Sequence, residues 1–274
     1  MTHDRLFTQR TKVVRRENIH PSHVVLRVRP PGGPPCLPGH FAMLRLPGDA
    51  GRGFVLSRPF SILDAGETVD FLIRIVGKGS RLLASLEPGD DIEMLLPLGT
   101  PFPDPGGFSR PLAVAGGCGV APLAFLARRA CRSGGSLELL YGTGTASDQV
   151  LAQELSKICS LSVSTEDGTS GFRGTVAALL EETLRRRPAD FIAACGPTGL
   201  LGEVARIGRQ NGAACFVSIE TVMGCGFGAC LGCAVPMSGG GYLYACKDGP
   251  VVDASRIDWS RWGGAGAIQP RCTP

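Results

Sequence analysis

The chain has few aromatic residues, few histidines and no strong charge imbalance. Tryptophan, tyrosine and phenylalanine make up 6% of its 274 residues, and there are four histidines. His3, His20, His23 and His40 all lie in the N-terminal part, outside any acid–base motif, so the sequence points away from histidine catalysis. A net charge of +4, carried by scattered arginines, argues against a nucleic-acid partner. The densest run, Arg185-Arg186-Arg187, reads as the solvated end of a helix. Long apolar runs are also missing. Thr221–Cys246 is uncharged but filled with Gly, Cys and Pro, and Pro111–Ala127 is short and broken by Gly116-Gly117 and Pro122. Neither suits a membrane helix. The opening residues hold no apolar segment of the signal-peptide kind, so a cytoplasmic protein is expected.

Glycine and cysteine are plentiful, at 39 and 11 residues. Four cysteines form one pattern: Cys225-x4-Cys230-x2-Cys233, twelve residues, then Cys246. Glycines at 224, 226, 228 and 232 allow the first three thiols to fold into a tight loop. The spacing is that of plant-type 2Fe–2S ferredoxins, and a one-electron centre implies a protein that moves electrons. A zinc site in a scaffold module without redox function is the alternative, but zinc knuckles favour paired Cys-x2-Cys and only one is present. An absorbance spectrum separates the two. Cys36, Cys131, Cys159, Cys215 and Cys272 read as inert or packing residues, and Cys118 as a small packing residue.

The chain divides into three segments. Residues 1–104 read as short strands at Ser22–Arg29, His40–Leu46, Thr68–Val76 and Asp90–Leu96, separated by turn signals such as Pro47-Gly48 and Pro88-Gly89. That pattern predicts an antiparallel barrel. Pro101–Arg110 looks like a linker. Residues 105–218 alternate strand and helix, which predicts a doubly wound parallel sheet with crossover helices. One of these helices is expected over Ser147–Ile158, with Ser147 as its N-cap. Residues 219–274 form the cysteine module and tail. This segment is too small and glycine-rich for a core of its own, so a metal cluster is expected to supply the constraint. Val251–Ile257 is a candidate closing strand, and the tail after Trp259 is expected to be loose or held by a partner.

Several motifs lie upstream. Arg58-Pro59-Phe60-Ser61 ends a barrel strand, where an arginine can take a pyrophosphate bidentately and Ser61 can reach a flavin ring or phosphate. A surface turn is the bland alternative. Gly77-Lys78-Gly79-Ser80 follows another strand and reads as an anion-binding turn or a simple hairpin. Gly116-Gly117-Cys118-Gly119-Val120-Ala121-Pro122 joins a strand to a helix, the place where a nucleotide phosphate meets helix N–H groups. Cys195-Gly196-Pro197 ends a later strand, at the carboxyl edge where such sheets bind ligands. Its thiol either lies beside a nicotinamide or simply fits there.

The order of these motifs resembles the ferredoxin–NADP reductase superfamily. The tail is more specific. Glu220-x-x-Met223-x-Cys225-Gly226-x-Gly228-Ala229-Cys230-x-x-Cys233, followed by Cys246-Lys247-Asp248-Gly249-Pro250-Val251-Val252-Asp253-Ala254, resembles the electron-transfer subunit of class 1B dihydroorotate dehydrogenase. The resemblance spans roughly residues 10 to 257. It implies FAD held by Arg58, Pro59, Phe60 and Ser61, by Leu72, Ile73 and Arg74, and by Gly79 and Ser80. Phe60 stands where relatives often have Tyr or an aliphatic residue, and Ser80 where Thr is common. It implies NAD(H) over Gly116, Gly117, Gly119, Ala121 and Pro122 and over Cys195, Gly196 and Pro197. It implies Cys225, Cys230, Cys233 and Cys246 as 2Fe–2S ligands. The implied reaction runs from NADH through FAD and the cluster to a separate FMN-containing catalytic subunit that interconverts dihydroorotate and orotate in pyrimidine biosynthesis. Two copies of each chain would form a heterotetramer. The alternative is a related reductase serving another acceptor, of the sulfide dehydrogenase or transhydrogenase small-subunit type. NAD is expected over NADP because Gly142–Asp148, after the second parallel strand, holds one Asp and no Lys or Arg.

Overall fold

The computed structural model describes residues 8–29, 32, 35–48 and 56–262. Its first unit is a closed barrel. Strands β1 (Gln9–His20), β2 (His23–Val28), β3 (Phe41–Arg45), β4 (Arg58–Ala65), β5 (Val69–Arg74) and β6 (Asp91–Leu98) pair in the order β1-β2-β5-β4-β3-β6, and β1 closes onto β6. Alternation drives this arrangement. Val24, Leu26 and Val28 point inward with Ile62, Phe71, Ile73, Ile92 and Met94, because successive strand residues face opposite sides. Helix α1 (Lys78–Ala84) adds Leu83 and Ala84 to the same core.

The second unit is an α/β sheet built from β7 (Pro111–Gly116), α2 (Val120–Arg132), β8 (Glu138–Thr143), α3 (Ala152–Leu155), β9 (Ser160–Thr165), β10 (Phe172–Arg173), α4 (Val176–Arg186), β11 (Phe191–Cys195), α5 (Thr198–Gln210) and β12 (Ala214–Ser218). These strands pair in parallel in the order β10-β9-β8-β7-β11-β12. The order reverses between β7 and β11, which opens a crevice at their carboxyl ends. The helix expected over Ser147–Ile158 is corrected to a short 3-10 turn at Ala146–Asp148 and the single turn of α3. Leu151 has φ +67°, which breaks the helix, and the Ser147 hydroxyl bonds Thr145 rather than capping.

The C-terminal segment contains a hairpin of β13 (Ala234–Pro236) and β14 (Tyr242–Tyr244), helix α6 (Ala245–Asp248), β15 (Val251–Asp253) and α7 (Trp259–Trp262). Strand β15 adds antiparallel to the edge strand β12. The expected closing strand is shorter than Val251–Ile257, because Asp253 accepts from the Ser255 N–H at 2.9 Å and turns the chain. The tail after Trp259 is not wholly loose. Trp262 is buried, and the Trp259 indole donates to the Ala254 carbonyl at 2.9 Å. Cys272 lies outside the described residues.

This segment borrows its core. Met223, Cys233, Val235, Leu243, Cys246 and Val252 share one apolar cluster with Phe41, Met43 and Leu98 of the barrel and Leu201 of α5. The Thr100 N–H donates to the Gly249 carbonyl at 2.7 Å, and its hydroxyl to the Val251 carbonyl at 2.8 Å.

Candidate functional site

The four motif cysteines come together as two pairs. The Cys233 and Cys246 sulfurs lie 3.3 Å apart, and the Cys225 thiol contacts that of Cys230. Among the described residues no set of three His, Cys, Asp or Glu converges on a single metal position. The loop aims its amides at the sulfurs. Cys225 Sγ accepts from the N–H of Ala229 at 3.3 Å and of Cys230 at 3.4 Å, and Cys246 Sγ accepts from Gly228 N–H at 3.1 Å. Burial raises the Cys225 thiol, but the hydrogen bonds from Cys230, Phe227 and Ala229 outweigh it and bring it down to about 6. Burial and the Cys233 thiol raise Cys246 to about 12. A cation at the sulfurs reverses that second effect, because coordination favours thiolate. Two thiol pairs in an amide-lined loop fit a two-iron cluster, which takes two thiolates per iron.

The loop rests on the barrel. Gly226 has φ +85°, and a Cβ there would lie 2.3 Å from Met43 Cγ. Met43 on β3 is the register partner of Pro59 on β4. The cysteine loop therefore packs against the strand beside Arg58–Ser61. Around it, Val222, Phe227 and Leu231 are about half exposed, at 53%, 47% and 50%, and Cys230 faces solvent.

The residues implicated in FAD binding fall on one side of the barrel, but their side chains differ in reach. Arg58, Pro59, Phe60 and Ser61 begin β4 and are partly exposed. Ile73 points into the barrel core, and Leu72 packs with Val25 and Leu63 against residues of α2. Only their backbones remain for a ligand. Arg74, next on β5, opens into the cleft described below. Gly79 and Ser80 lie in the first turn of α1 rather than in a hairpin. The Ser80 hydroxyl accepts from Val76 N–H at 2.9 Å and donates to the Gly77 carbonyl at 3.1 Å, which caps that helix.

A cleft of about 480 Å³ occupies the crevice between β7 and β11. Gly116, Gly117 and Pro197, three of the residues the resemblance puts at NAD(H), line it. Gly119 and Cys195 instead sit behind it. A Cβ on Gly119 would lie 2.2 Å from the Cys195 carbonyl, so only glycine lets the two loops meet. The Cys195 side chain is buried, and burial, with the Glu220 carboxylate adding to it, holds its thiol well above the ordinary range. Gly196 packs against Gly116, while Ala121 and Pro122 are buried in the first turn of α2.

The cleft also contains groups that sequence reasoning missed. Glu166, just after β9, is exposed at the rim, and its carboxylate has no hydrogen-bond or ion-pair partner among the described residues. His23 and Arg74 enter from the barrel, where they face each other across β2 and β5. Burial, with Arg74 and His20 adding positive charge, lowers His23 to about 4, so its imidazole is neutral at ordinary pH. Cys118 is not a plain packing residue, because its sulfur lies 3.5 Å from His23 Nε2. Only the tertiary fold brings His23, the first residue of β2, to a loop 95 positions away.

A closed flavin-type barrel, a nucleotide-type parallel sheet and a ferredoxin-spaced cysteine loop together define a ferredoxin–NADP reductase-like electron-transfer protein. The iron-sulfur cluster binding domain of dihydroorotate dehydrogenase B matches residues 220–258. The probable dihydroorotate dehydrogenase B (NAD(+)) electron transfer subunit of Methanopyrus kandleri is 36% identical over 244 residues, covering 88% of each chain. The corresponding subunit of Clostridium acetobutylicum is 36% identical over 203 residues, covering 74% of this chain and 79% of its own. The chain belongs to the family of dihydroorotate dehydrogenase B electron transfer subunits. Among solved structures, an NADH-dependent reduced ferredoxin–NADP oxidoreductase chain matches with a TM-score of 0.79 and 25% identity, over 92% of this chain and 90% of that one. A ferredoxin NADP+ reductase from Neisseria gonorrhoeae matches in fold, with a TM-score of 0.63, 18% identity and coverage of 75% and 92%.

Proposed function

We propose that this chain takes electrons from NADH in the β7–β11 cleft and passes them through the barrel face to the cysteine loop. From there they go to an FMN-containing dihydroorotate dehydrogenase catalytic subunit. The observation that carries this reading is the packing of Gly226 on Met43, which sets the cysteine loop directly on the barrel strand next to Arg58–Ser61. FAD bound there supplies the exchange between a hydride and single electrons, and a 2Fe–2S cluster supplies the one-electron exit. The chain's own residues do the rest. Arg58 and the first turn of α1 hold the flavin's phosphates. Gly116 and Gly117 let a pyrophosphate approach the backbone. Glu166 takes the ribose hydroxyls. Amides of the cysteine loop stabilise the thiolates, and Cys195 closes the floor behind Gly119.

The apolar rim of Val222, Phe227 and Leu231 supports docking of the catalytic subunit over the cysteines, because large apolar side chains half exposed around a functional loop mark interaction surfaces. An assembly of two copies of each chain belongs to the same reading. So does a division into units of 1–104, 105–218 and 219–274, supported by barrel strands that end at Leu98 and parallel strands that run from Pro111 to Ser218. No described helix is long and apolar enough to cross a membrane. The test is acceptor choice. Mixed with an FMN-containing catalytic subunit, the protein should support NAD-linked oxidation of dihydroorotate. One observation favours a second reading: the 25% identity to a ferredoxin–NADP oxidoreductase chain over nearly the whole length. Electron delivery to such an acceptor, with none to dihydroorotate dehydrogenase, would establish that alternative.

A further inference from the structure

A directed hydrogen-bond chain connects the barrel to the glycine loop of the cleft. The Ser22 N–H donates to His20 Nδ1 at 3.3 Å, which fixes that nitrogen as an acceptor. The Ser22 hydroxyl, 2.8 Å from the same nitrogen, must therefore donate to it. Its oxygen is then free to accept from His23 Nδ1–H at 3.0 Å. That tautomer leaves His23 Nε2 bare and facing the Cys118 sulfur at 3.5 Å, so the thiol S–H donates to it. His23 is 5% exposed, and its charged form is disfavoured by burial, by Arg74 and by His20, with Asp148 opposing. Each link thus has one assigned direction. Cys118 sits between Gly117, whose φ is +52°, and Gly119, where a Cβ would lie 2.2 Å from the Cys195 carbonyl oxygen and leave no room for a side chain. Among the described residues, Gly116, Gly117 and Cys118 of this loop and His23 and Arg74 of the barrel all line the cleft.

We propose that Cys118 and His23 form a latch by which the flavin barrel sets the position of the dinucleotide loop, making them a positioning pair for hydride transfer. The proposal rests on the reading of the cleft as the NADH site. Neither residue exchanges a proton with substrate. The thiol holds the loop at one distance from β2, and the Ser22–His20 end holds the imidazole at one angle. Hydride transfer is steep in distance, so a shift of about 1 Å at the loop costs up to roughly 100-fold in rate while leaving much of the binding energy in place.

The experiment is rapid-mixing reduction of the bound flavin by NADH, in the full chain with its flavin and cluster. Cys118→Ala is expected to lower the limiting reduction rate roughly 10-fold, with a smaller change in the NADH concentration at half-saturation. Cys118→Ser, whose hydroxyl can still donate to Nε2, should recover part of the loss. His23→Ala should match Cys118→Ala, and the double variant should be no slower than either single one, because both remove the same contact. Losses that multiply in the double variant overturn the latch, as does a Cys118→Ala protein that reduces at the wild-type rate. If His23→Ala fails to retain flavin, the Cys118→Ala and Cys118→Ser pair decides alone: equal rates in the two overturn the proposal, and partial recovery by serine supports it. Wild-type flavin that NADH does not bleach contradicts the reading of the cleft itself. An unchanged rate in Cys118→Ala contradicts only the latch.

Discussion

Replacing Cys246 by serine is expected to stop electron delivery to any protein acceptor while leaving NADH able to bleach the flavin. Cys246 is 3% exposed and paired with Cys233 at 3.3 Å, so its loss removes half of one thiolate pair. Serine offers a harder oxygen on a shorter arm, a poor substitute for thiolate at iron. Losing a contact that merely orients a metal ligand already costs roughly 10–100-fold, and losing the ligand itself should exceed that. The effect on structure should be local. The module's apolar residues remain packed on Phe41, Met43 and Leu98, and β15 remains paired to β12. The barrel and the β7–β11 cleft do not depend on the sulfur. The expected record is loss of the iron–sulfur absorbance and its paramagnetic signal, retained flavin absorbance, a retained rate of flavin reduction by NADH, and a fall of more than about 100-fold in acceptor reduction. Acceptor reduction that survives in a cluster-free variant contradicts the proposed exit.

Replacing Glu166 by arginine is expected to turn the preference from NADH towards NADPH. The sequence directs attention to Asp148, the one acidic residue after the second parallel strand. In the structure, however, an Asp148 carboxylate oxygen already accepts from the Thr145 hydroxyl at 3.0 Å. Glu166, one strand further on, is the cleft carboxylate with no partner among the described residues. A carboxylate there accepts from the ribose hydroxyls and repels a 2′-phosphate. A hydrogen bond to a charged acceptor contributes about 1.5–3 kcal/mol, so its loss should lower kcat/KM for NADH roughly 10–100-fold. The introduced guanidinium also offers a bidentate partner to the phosphate, so the NADH-to-NADPH ratio should shift by about 100-fold or more. Flavin reduction rates with the two nucleotides measure this. A variant that keeps the wild-type ratio would place the adenosine end elsewhere.

Much of this was legible in the sequence because it is local or periodic. Alternate residues that join the barrel core, Val24, Leu26 and Val28 in β2 and Val69, Phe71 and Ile73 in β5, announce the barrel, and strand–helix alternation from Pro111 to Ser218 announces the parallel sheet. The cysteine spacing lies within one loop and one following helix, so it could be read directly. The failures are positions where tertiary contact overrides local pattern. Helical periodicity across Ser147–Ile158 gave no warning of the left-handed Leu151. Gly226 reads only as one more glycine until Met43 is seen against it. Phe71 and Ile73 alternate with Leu72 and Arg74, so the Ile73 side chain faces the core and only its backbone is left for a cofactor, which the motif alone does not show. His23 and Glu166 carry no motif, and Cys118 reads only as a small residue within the glycine loop. They become a site only because β2 begins beside the loop that follows β7, and because β9 ends beside β8.

The most direct test of the account is an anaerobic titration of the purified protein with NADH, followed by visible absorbance. The oxidised protein should show flavin and iron–sulfur bands, both bleached by NADH, with two electrons entering the flavin and one the cluster. A protein with no visible bands, or one whose iron–sulfur absorbance never responds to NADH while the flavin does, would contradict it.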